Sequence, residues 1–242
     1  MKMIDYHVHM GKSSSGHMAT PDDLVAYLDE YGIECAGVSI LNGVDTQEQN
    51  NAVFEACLKY PDRIFGHAYI NPRDPKAIDE VHRCLGEFKM ESVQLHSWKH
   101  GYYPENTPAL DKILDVIETY GVPVLLHTGT APLSLPQQWA IYAERHPGIN
   151  FVFEHLGYID YGYSCVDCAR RFDNIYVETS GQVEVPVLLK AYEELGPDRI
   201  IFGTDWPYKY PKSEIVRFEV LPLSDSDKEK IFYSNAIKLL KR

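Results

Sequence analysis

Short apolar runs alternate along the chain with polar turns and amphipathic stretches. The runs at 3–9, 35–41, 64–70, 92–96, 122–127, 150–155, 175–178 and 200–203 predict strands. Several, such as Val122 to Leu126 and Ile149 to Phe153, are apolar on consecutive positions. A strand buried on both faces of a parallel sheet reads this way. Between the runs, the stretches 21–31, 45–60, 75–86, 108–120, 135–145, 165–172, 183–195 and 224–240 carry helical periodicity. Thr20 stands before Pro21, a cap followed by proline at the first helical position. Pro-Asp-Arg-Ile occurs at 61 and again at 197, each time closing a helix just before a strand.

Eight strands alternating with eight helical stretches predict an α/β architecture, a (β/α)8 TIM barrel formed by a single domain over residues 1–242. An open doubly wound sheet is the competing arrangement. The turn after the first strand lacks Gly-x-Gly-x-x-Gly, which disfavours it. With 242 residues and 45% hydrophobic residues, the chain can fill one large core. The net charge of −12 argues against a nucleic-acid partner. It would also slow an anionic substrate unless positive groups offset it locally. No run approaches the roughly 18 apolar residues of a membrane span, and no targeting signal is recognisable, so a cytoplasmic enzyme is expected. Cys35, Cys57, Cys84, Cys165 and Cys168 are an odd and dispersed set, consistent with reduced thiols.

The chemistry enters with the histidines. His7 and His9 end the first predicted strand, His96 the fourth, His127 the fifth and His155 the sixth, and Asp205 follows the eighth. In a barrel these strand ends form one rim, the one that carries active sites. Two positions apart on a strand, His7 and His9 project to the same face and can bind one metal together. His127 and Asp205 can add a nitrogen and an oxygen. Three imidazoles and a carboxylate suit one divalent metal, Zn2+ first, with Mn2+, Fe2+ or Co2+ as alternatives. A metal-activated water would fill the next position.

Ile4-Asp5-Tyr6-His7-Val8-His9, Pro61-Asp62-Arg63-Ile64-Phe65-Gly66 with Ile70-Asn71-Pro72, Val124-Leu125-Leu126-His127-Thr128-Gly129 and Phe153-Glu154-His155-Leu156-Gly157 follow one another in order. Tyr176-Val177-Glu178-Thr179-Ser180-Gly181, Ile201-Phe202-Gly203-Thr204-Asp205-Trp206-Pro207 and Ile231-Phe232-Tyr233-Ser234-Asn235-Ala236 complete the series. In this ordered combination the chain resembles the amidohydrolase superfamily, in its branch of aminocarboxymuconate semialdehyde decarboxylase-like metal-dependent hydrolases. The resemblance implies a barrel with a mononuclear site in which His7, His9, His127 and Asp205 match the metal ligands. It implies that His155 orients the water or polarises the substrate, and that Asp205 also carries the proton in hydrolytic members. Many relatives place a carboxylated lysine at the end of the fourth strand; here that strand reads Ser92-Val93-Gln94-Leu95-His96. A bridged two-metal site is therefore not expected.

Asp5 alternates with His7 and is expected on the same face, either hydrogen-bonded to a ligand histidine or a buried structural acid. Cys165-x-x-Cys168 lies in a helical stretch without a second pair and is read as packing. Aromatic residues crowd the loops above the rim: Trp98, Tyr102 and Tyr103; Tyr158, Tyr161 and Tyr163; Trp206, Tyr208 and Tyr210. They suit a pocket for a small-molecule substrate, cyclic or carboxylate-bearing, with His96, Trp98, Tyr103, Tyr158 and Trp206 as its expected contacts. They would also suit a subunit interface, which leaves a homodimer open. Arg73, Lys99, Arg170 and Lys209 are candidates to grip a carboxylate. His17, His67, His82, His100 and His146 are read as structural or exposed, with His67 the one to watch. The leading expectation is a metal-dependent hydrolase of an amide, ester or lactone, with His155 and Asp205 as its catalytic residues. The alternatives are a non-oxidative decarboxylase of an unsaturated or aromatic acid and a metal-stabilised binding protein without turnover.

Overall fold

The structure is a computed structural model that describes residues 1–12, 16, 18–41 and 45–242. His17, expected to be structural or exposed, lies outside the described residues. All eight predicted strands form: β1 (Ile4–His9), β2 (Cys35–Ser39), β3 (Ile64–Tyr69), β4 (Ser92–Leu95), β5 (Val124–His127), β6 (Phe151–Glu154), β7 (Ile175–Glu178) and β8 (Ile200–Ile201). Each pairs in parallel with the next in chain order. The segment after β8 returns to β1. Tyr6 N–H donates to the Phe202 carbonyl (3.1 Å), Asp205 N–H to His7 (2.8 Å) and His9 N–H to Trp206 (2.7 Å). These bonds close the ring into the TIM barrel that the alternating pattern predicts. They also lay Asp205 beside the first strand, from the opposite end of the chain.

The helices pack outside. Thr20 caps the first, Pro21–Tyr31, in a reciprocal capping box with Asp23. Its Leu24 and Leu28 are buried with Val8 and Val38 of the strands. A fully buried leucine or valine contributes about 1.5–3 kcal/mol relative to an exposed one. The lower barrel interior is filled by Ile4, Tyr6, Phe65, Leu125, Val152 and Ile201, closed below by Leu239 and Leu240 of the last helix.

Element boundaries depart from expectation where packing overrides propensity. The stretch expected to be helical from 165 is helical from the start, Tyr158–Arg171. Its first half holds Gly162 and three tyrosines, weak helix formers that hid it. Gly162 is needed there, since a Cβ would meet Val187 Cγ1 at 2.7 Å. The stretches at 75–86 and 224–240 each contain a wider π-helical turn, His82–Glu87 and Lys230–Ser234. A short hairpin, Gly11–Lys12 with Met18–Ala19, and two short helices, Ser97–His100 and Pro211–Val216, carried too little periodicity to be foreseen. Among the described residues, no helix is long and apolar enough to cross a membrane.

Candidate metal and active site

The site begins with an irregularity in β1. Its register against β2 shifts between Asp5 and Val8, and the period-two alternation breaks there. Asp5 is therefore not on the face of His7, contrary to expectation. Its carboxylate accepts from the Tyr27 hydroxyl (2.6 Å), the Thr204 hydroxyl (2.5 Å) and the Thr204 N–H (2.9 Å). Its one bond to His7 is from the backbone N–H, at 3.3 Å. His67 is the other half of this device: with one ring nitrogen it meets the Tyr6 carbonyl at 2.8 Å, and with the other it meets the Ser92 hydroxyl. His67 is thus structural.

Beyond the bulge, His7 and His9 both face the rim. His9 Nε2 lies 3.3 Å from Asp205 Oδ1, and its Nδ1 is 3.0 Å from the Ser39 hydroxyl. Asp205 and His155 adopt positive φ, 57° and 65°. Such backbone costs energy for residues with a Cβ and is concentrated at functional sites. Leu156 and Tyr158 are also left-handed, with φ of 45° and 51°. The chain turns sharply there, and Glu154, His155 and Tyr158 all line one pocket.

That pocket has a volume of about 200 Å³ and is lined by His7, His9, Leu41, His96, Trp98, Lys99, His127, Glu154, His155, Tyr158, Asp205, Tyr208 and Lys209. It is smaller than the roughly 300–1,000 Å³ usual for drug-sized ligands, which suits a single-ring substrate. His96 stacks on His127, ring centres 3.9 Å apart. It stands just past β4, where its Nδ1 accepts from the Lys99 N–H and caps the Ser97–His100 helix.

Two expected contacts are misplaced. Tyr103 is exposed, outside the pocket, because the Ser97–His100 turn carries the chain outward. Trp206 pairs with Val8, whose side chain belongs to the outer layer, and so stacks on Tyr27 at 5.1 Å. Arg73 donates to the His100 and Gly101 carbonyls, and Arg170 pairs with Glu194. Of the four candidate cations, only Lys99 and Lys209 line the pocket. Cys165 and Cys168 are buried within helix packing, as expected.

Among the described residues, three groups of donors could hold a cation, with the ligand atoms of each group within 4.8 Å of one another: His7, His9 and Asp205; His127, Glu154 and His155; His7, His155 and Glu178. Three of the four expected ligands thus fall in one group, while His127 joins the adjacent one. Glu154 and Glu178 were given no role from sequence. Their only signal was a glutamate ending a buried strand, directly beside a rim histidine in one case. Glu154 Oε1 accepts from Gln94 Nε2 at 2.6 Å and sits 3.6 Å from His7 Nε2; its Oε2 has no hydrogen-bond partner among the described residues.

Burial dominates the electrostatics. It lowers His7 to about 3, helped by His9, and His127 to about 3, helped by His7 and His9. It holds His96 and His155 well below the usual imidazole range, in both cases with the His127 ring beside them adding to the effect. Neutral imidazoles are the form that ligates a metal. Burial pushes Glu154 well above the usual carboxylate range, reinforced by Glu178 and Asp205. Neutral nitrogens beside crowded carboxylates, one with an unpartnered oxygen, fit a divalent cation.

Comparison with known proteins is consistent with this geometry. The chain is 26% identical to a gamma-resorcylate decarboxylase of Rhodococcus jostii (strain RHA1), covering 79% of this chain and 75% of that one. It is 23% identical to a gamma-resorcylate decarboxylase of Polaromonas sp. (strain JS666 / ATCC BAA-500), covering 91% and 83%. Among solved structures it superposes on 2,6-dihydroxybenzoate decarboxylase complexed with 2,6-dihydroxybenzoate, with a TM-score of 0.79, 20% identity and coverage of 99% and 98%. It superposes likewise on 5-carboxyvanillate decarboxylase LigW from Sphingomonas paucimobilis, with a TM-score of 0.77, 16% identity and 99% coverage of both chains. These relatives are decarboxylases, which overturns the expectation that hydrolysis is the leading activity. The amidohydrolase family model matches residues 4–242, and the chain belongs to that family of enzymes.

Proposed function

We propose that this enzyme is a metal-dependent, non-oxidative decarboxylase of a small aromatic carboxylic acid. The observation that carries the reading is the match, over three quarters of both chains, to gamma-resorcylate decarboxylase. The pocket supports it: a polar floor of imidazoles and carboxylates lies beneath walls of Trp98, Tyr158 and Tyr208, room for one aromatic ring.

His7, His9 and Asp205 would hold the cation, with His127 of the adjacent donor group lining the same pocket. A related decarboxylase structure from Polaromonas sp. JS666 contains manganese and the inhibitor 2-nitroresorcinol; Mn2+ therefore stands beside Zn2+ as a candidate here. When bound, a divalent cation supplies Lewis-acid attraction for the substrate's oxygen atoms. The chain's own residues do the rest. Lys99 and Lys209 place ammonium groups at the mouth of a protein whose net charge is −12, and so draw in an anionic acid. Trp98, Tyr158 and Tyr208 fix the ring. Asp205, whose Oδ2 lies 3.5 Å from the donating Tyr158 hydroxyl, would take up a proton from solvent and pass it to the ring carbon that bears the carboxylate. The bond from that carbon to the carboxylate then breaks, its electron pair returns to the ring and CO2 leaves. His155, with one ring nitrogen held by Ser180, presents the other to the substrate.

The test is incubation of the Mn2+-loaded and Zn2+-loaded enzyme with 2,6-dihydroxybenzoate, 5-carboxyvanillate and an unsaturated aliphatic acid. Released CO2 and the decarboxylated product would both be measured. The expected outcome is equimolar CO2 and phenol from an aromatic acid, with Asp205→Asn slower by about 10²-fold or more. Absence of CO2 from every acid with either metal would sink the reading.

A further inference from the structure

We infer that the turn from Glu178 to Ser180 is a positioning device that sets the tautomer of two pocket histidines, His7 and His155, at once. The inference rests on the proposed role of His7 as a ligand and of His155 as a substrate-facing residue. Neither Glu178 nor Ser180 lines the pocket; they act through the rings that do.

Every contact runs in one direction. Glu178 Oε2 receives the Ser180 hydroxyl at 2.8 Å and the His155 backbone N–H at 3.2 Å, while Oε1 receives the Ser180 backbone N–H. The same Oε2 lies 3.0 Å from His7 Nδ1. A carboxylate surrounded by donors leaves His7 Nδ1 one role, to donate, so its Nε2 carries the lone pair. The Ser180 hydroxyl spends its proton on Glu178 and can therefore only accept from its other neighbours. Those are His155 Nδ1 at 3.0 Å and His7 Nδ1 at 3.3 Å. His155 Nδ1 also lies 3.2 Å from the Ser180 carbonyl, which cannot donate at all. Both rings are thus protonated on Nδ1 and turn an unprotonated Nε2 away from the clamp.

The surrounding chain is built for this pair. A Cβ on Gly203 would stand 2.5 Å from Glu178 Oε1 and 3.1 Å from His7 Cβ, so no larger residue leaves the carboxylate in place. Behind the turn, Arg217 donates to the Thr179 and Gln182 carbonyls and pairs with Glu214, which accepts the Gly181 N–H at 2.8 Å. The turn is therefore braced on both sides and cannot follow the rings if they rotate. A partner of this kind typically changes metal affinity or activity 10–100-fold when lost.

The experiment uses the metal-free full-length protein labelled with 15N in histidine, together with Glu178→Gln, Ser180→Ala and the conservative Ser180→Thr. Two-bond 15N–1H spectra give each ring's tautomer, and titration with Mn2+ alone gives affinity from the signal of the free ion. The wild type should show His7 and His155 as Nδ1–H tautomers. Glu178→Gln leaves one uncharged acceptor oxygen for four donors, so its amide N–H must face one of them; it should loosen the His7 ring and weaken Mn2+ binding by about 10–100-fold. Ser180→Ala removes one of the two acceptors of His155 Nδ1 and leaves the Ser180 carbonyl; it should loosen the ring and lower kcat several-fold, with KM and Mn2+ affinity within about threefold of wild type, and Ser180→Thr should restore kcat. An Nε2–H tautomer on either ring of the wild type overturns the inference. So does a folded Glu178→Gln protein that binds Mn2+ as tightly as wild type. If Glu178→Gln does not fold, the wild-type tautomers of His7 and His155 decide. The spectra need no substrate: failure of all acids to release CO2 would defeat the decarboxylase reading alone, whereas wrong tautomers would defeat the clamp alone.

Discussion

His100 stands outside the pocket, buried at 2% exposure and stacked on Tyr69 with ring centres 4.6 Å apart. Neither of its ring nitrogens has a hydrogen-bond partner among the described residues. Burial, with the Arg73 charge nearby, lowers its pKa to about 4. An unfolded histidine titrates near 6.5, so between about pH 6.5 and 4 the unfolded chain binds the proton that the folded chain refuses. Stability contributed by the neutral ring is present above that window and lost as the pH falls through it. Compared with His100→Phe, which keeps the stack, the wild type should lose about 1–3 kcal/mol more between pH 7 and pH 4.5 in urea unfolding. Equal losses in the two proteins would refute the assignment. His67 shows the same residue type put to another use. A Cβ on Gly37 would stand 2.2 Å from His67 Nε2, so that glycine makes the room in which the ring reaches the Tyr6 carbonyl. Sequence places His67 within the third strand and His100 just after the fourth, but does not say which has partners, since hydrogen bonds are a property of neighbours.

At the scale of elements, β1 decides the site. Its apolar and polar pattern made the strand legible, because a parallel strand buried on both faces reads as a continuous run. The same run concealed the bulge: with Ile4 to Met10 all buried, no exposed residue marks the loss of alternation. The bulge turns Asp5 outward to Tyr27 and Thr204, a network that ties the first helix to the segment leading to Asp205. Tyr27→Phe removes the hydroxyl while sparing the stack on Trp206. It should cost about 1–3 kcal/mol, because Asp5 loses one of its donors. A denaturation midpoint unchanged from wild type would show that the network carries no stability.

At the scale of the molecule, the rim collects His7, His9, His96, His127, His155 and Asp205 around one pocket from strand ends distributed along the whole chain. Glu154, crowded by Glu178 and Asp205 and with Oε2 unpartnered among the described residues, is the group that a cation would relieve. Exhaustive chelation should therefore abolish turnover and lower the melting temperature, and added Mn2+ or Zn2+ should restore both. An excess of 100-fold over Kd would add about 2.7 kcal/mol. If chelated protein melts where the loaded protein does, these residues hold no structural or catalytic metal.

The barrel and its rim histidines were readable from sequence, because local periodicity sets strand and helix and a barrel places every strand's C-terminal end on one side. The positions of Trp206 and Tyr103 relative to the pocket were decided only by closure of the ring and by the direction of short turns. The partners Glu178, Ser180 and Gln94, and the neutral state of the imidazoles, likewise arise from contacts between segments far apart in the chain. Periodicity is a local property, whereas hydrogen bonding and desolvation depend on whatever the fold brings alongside.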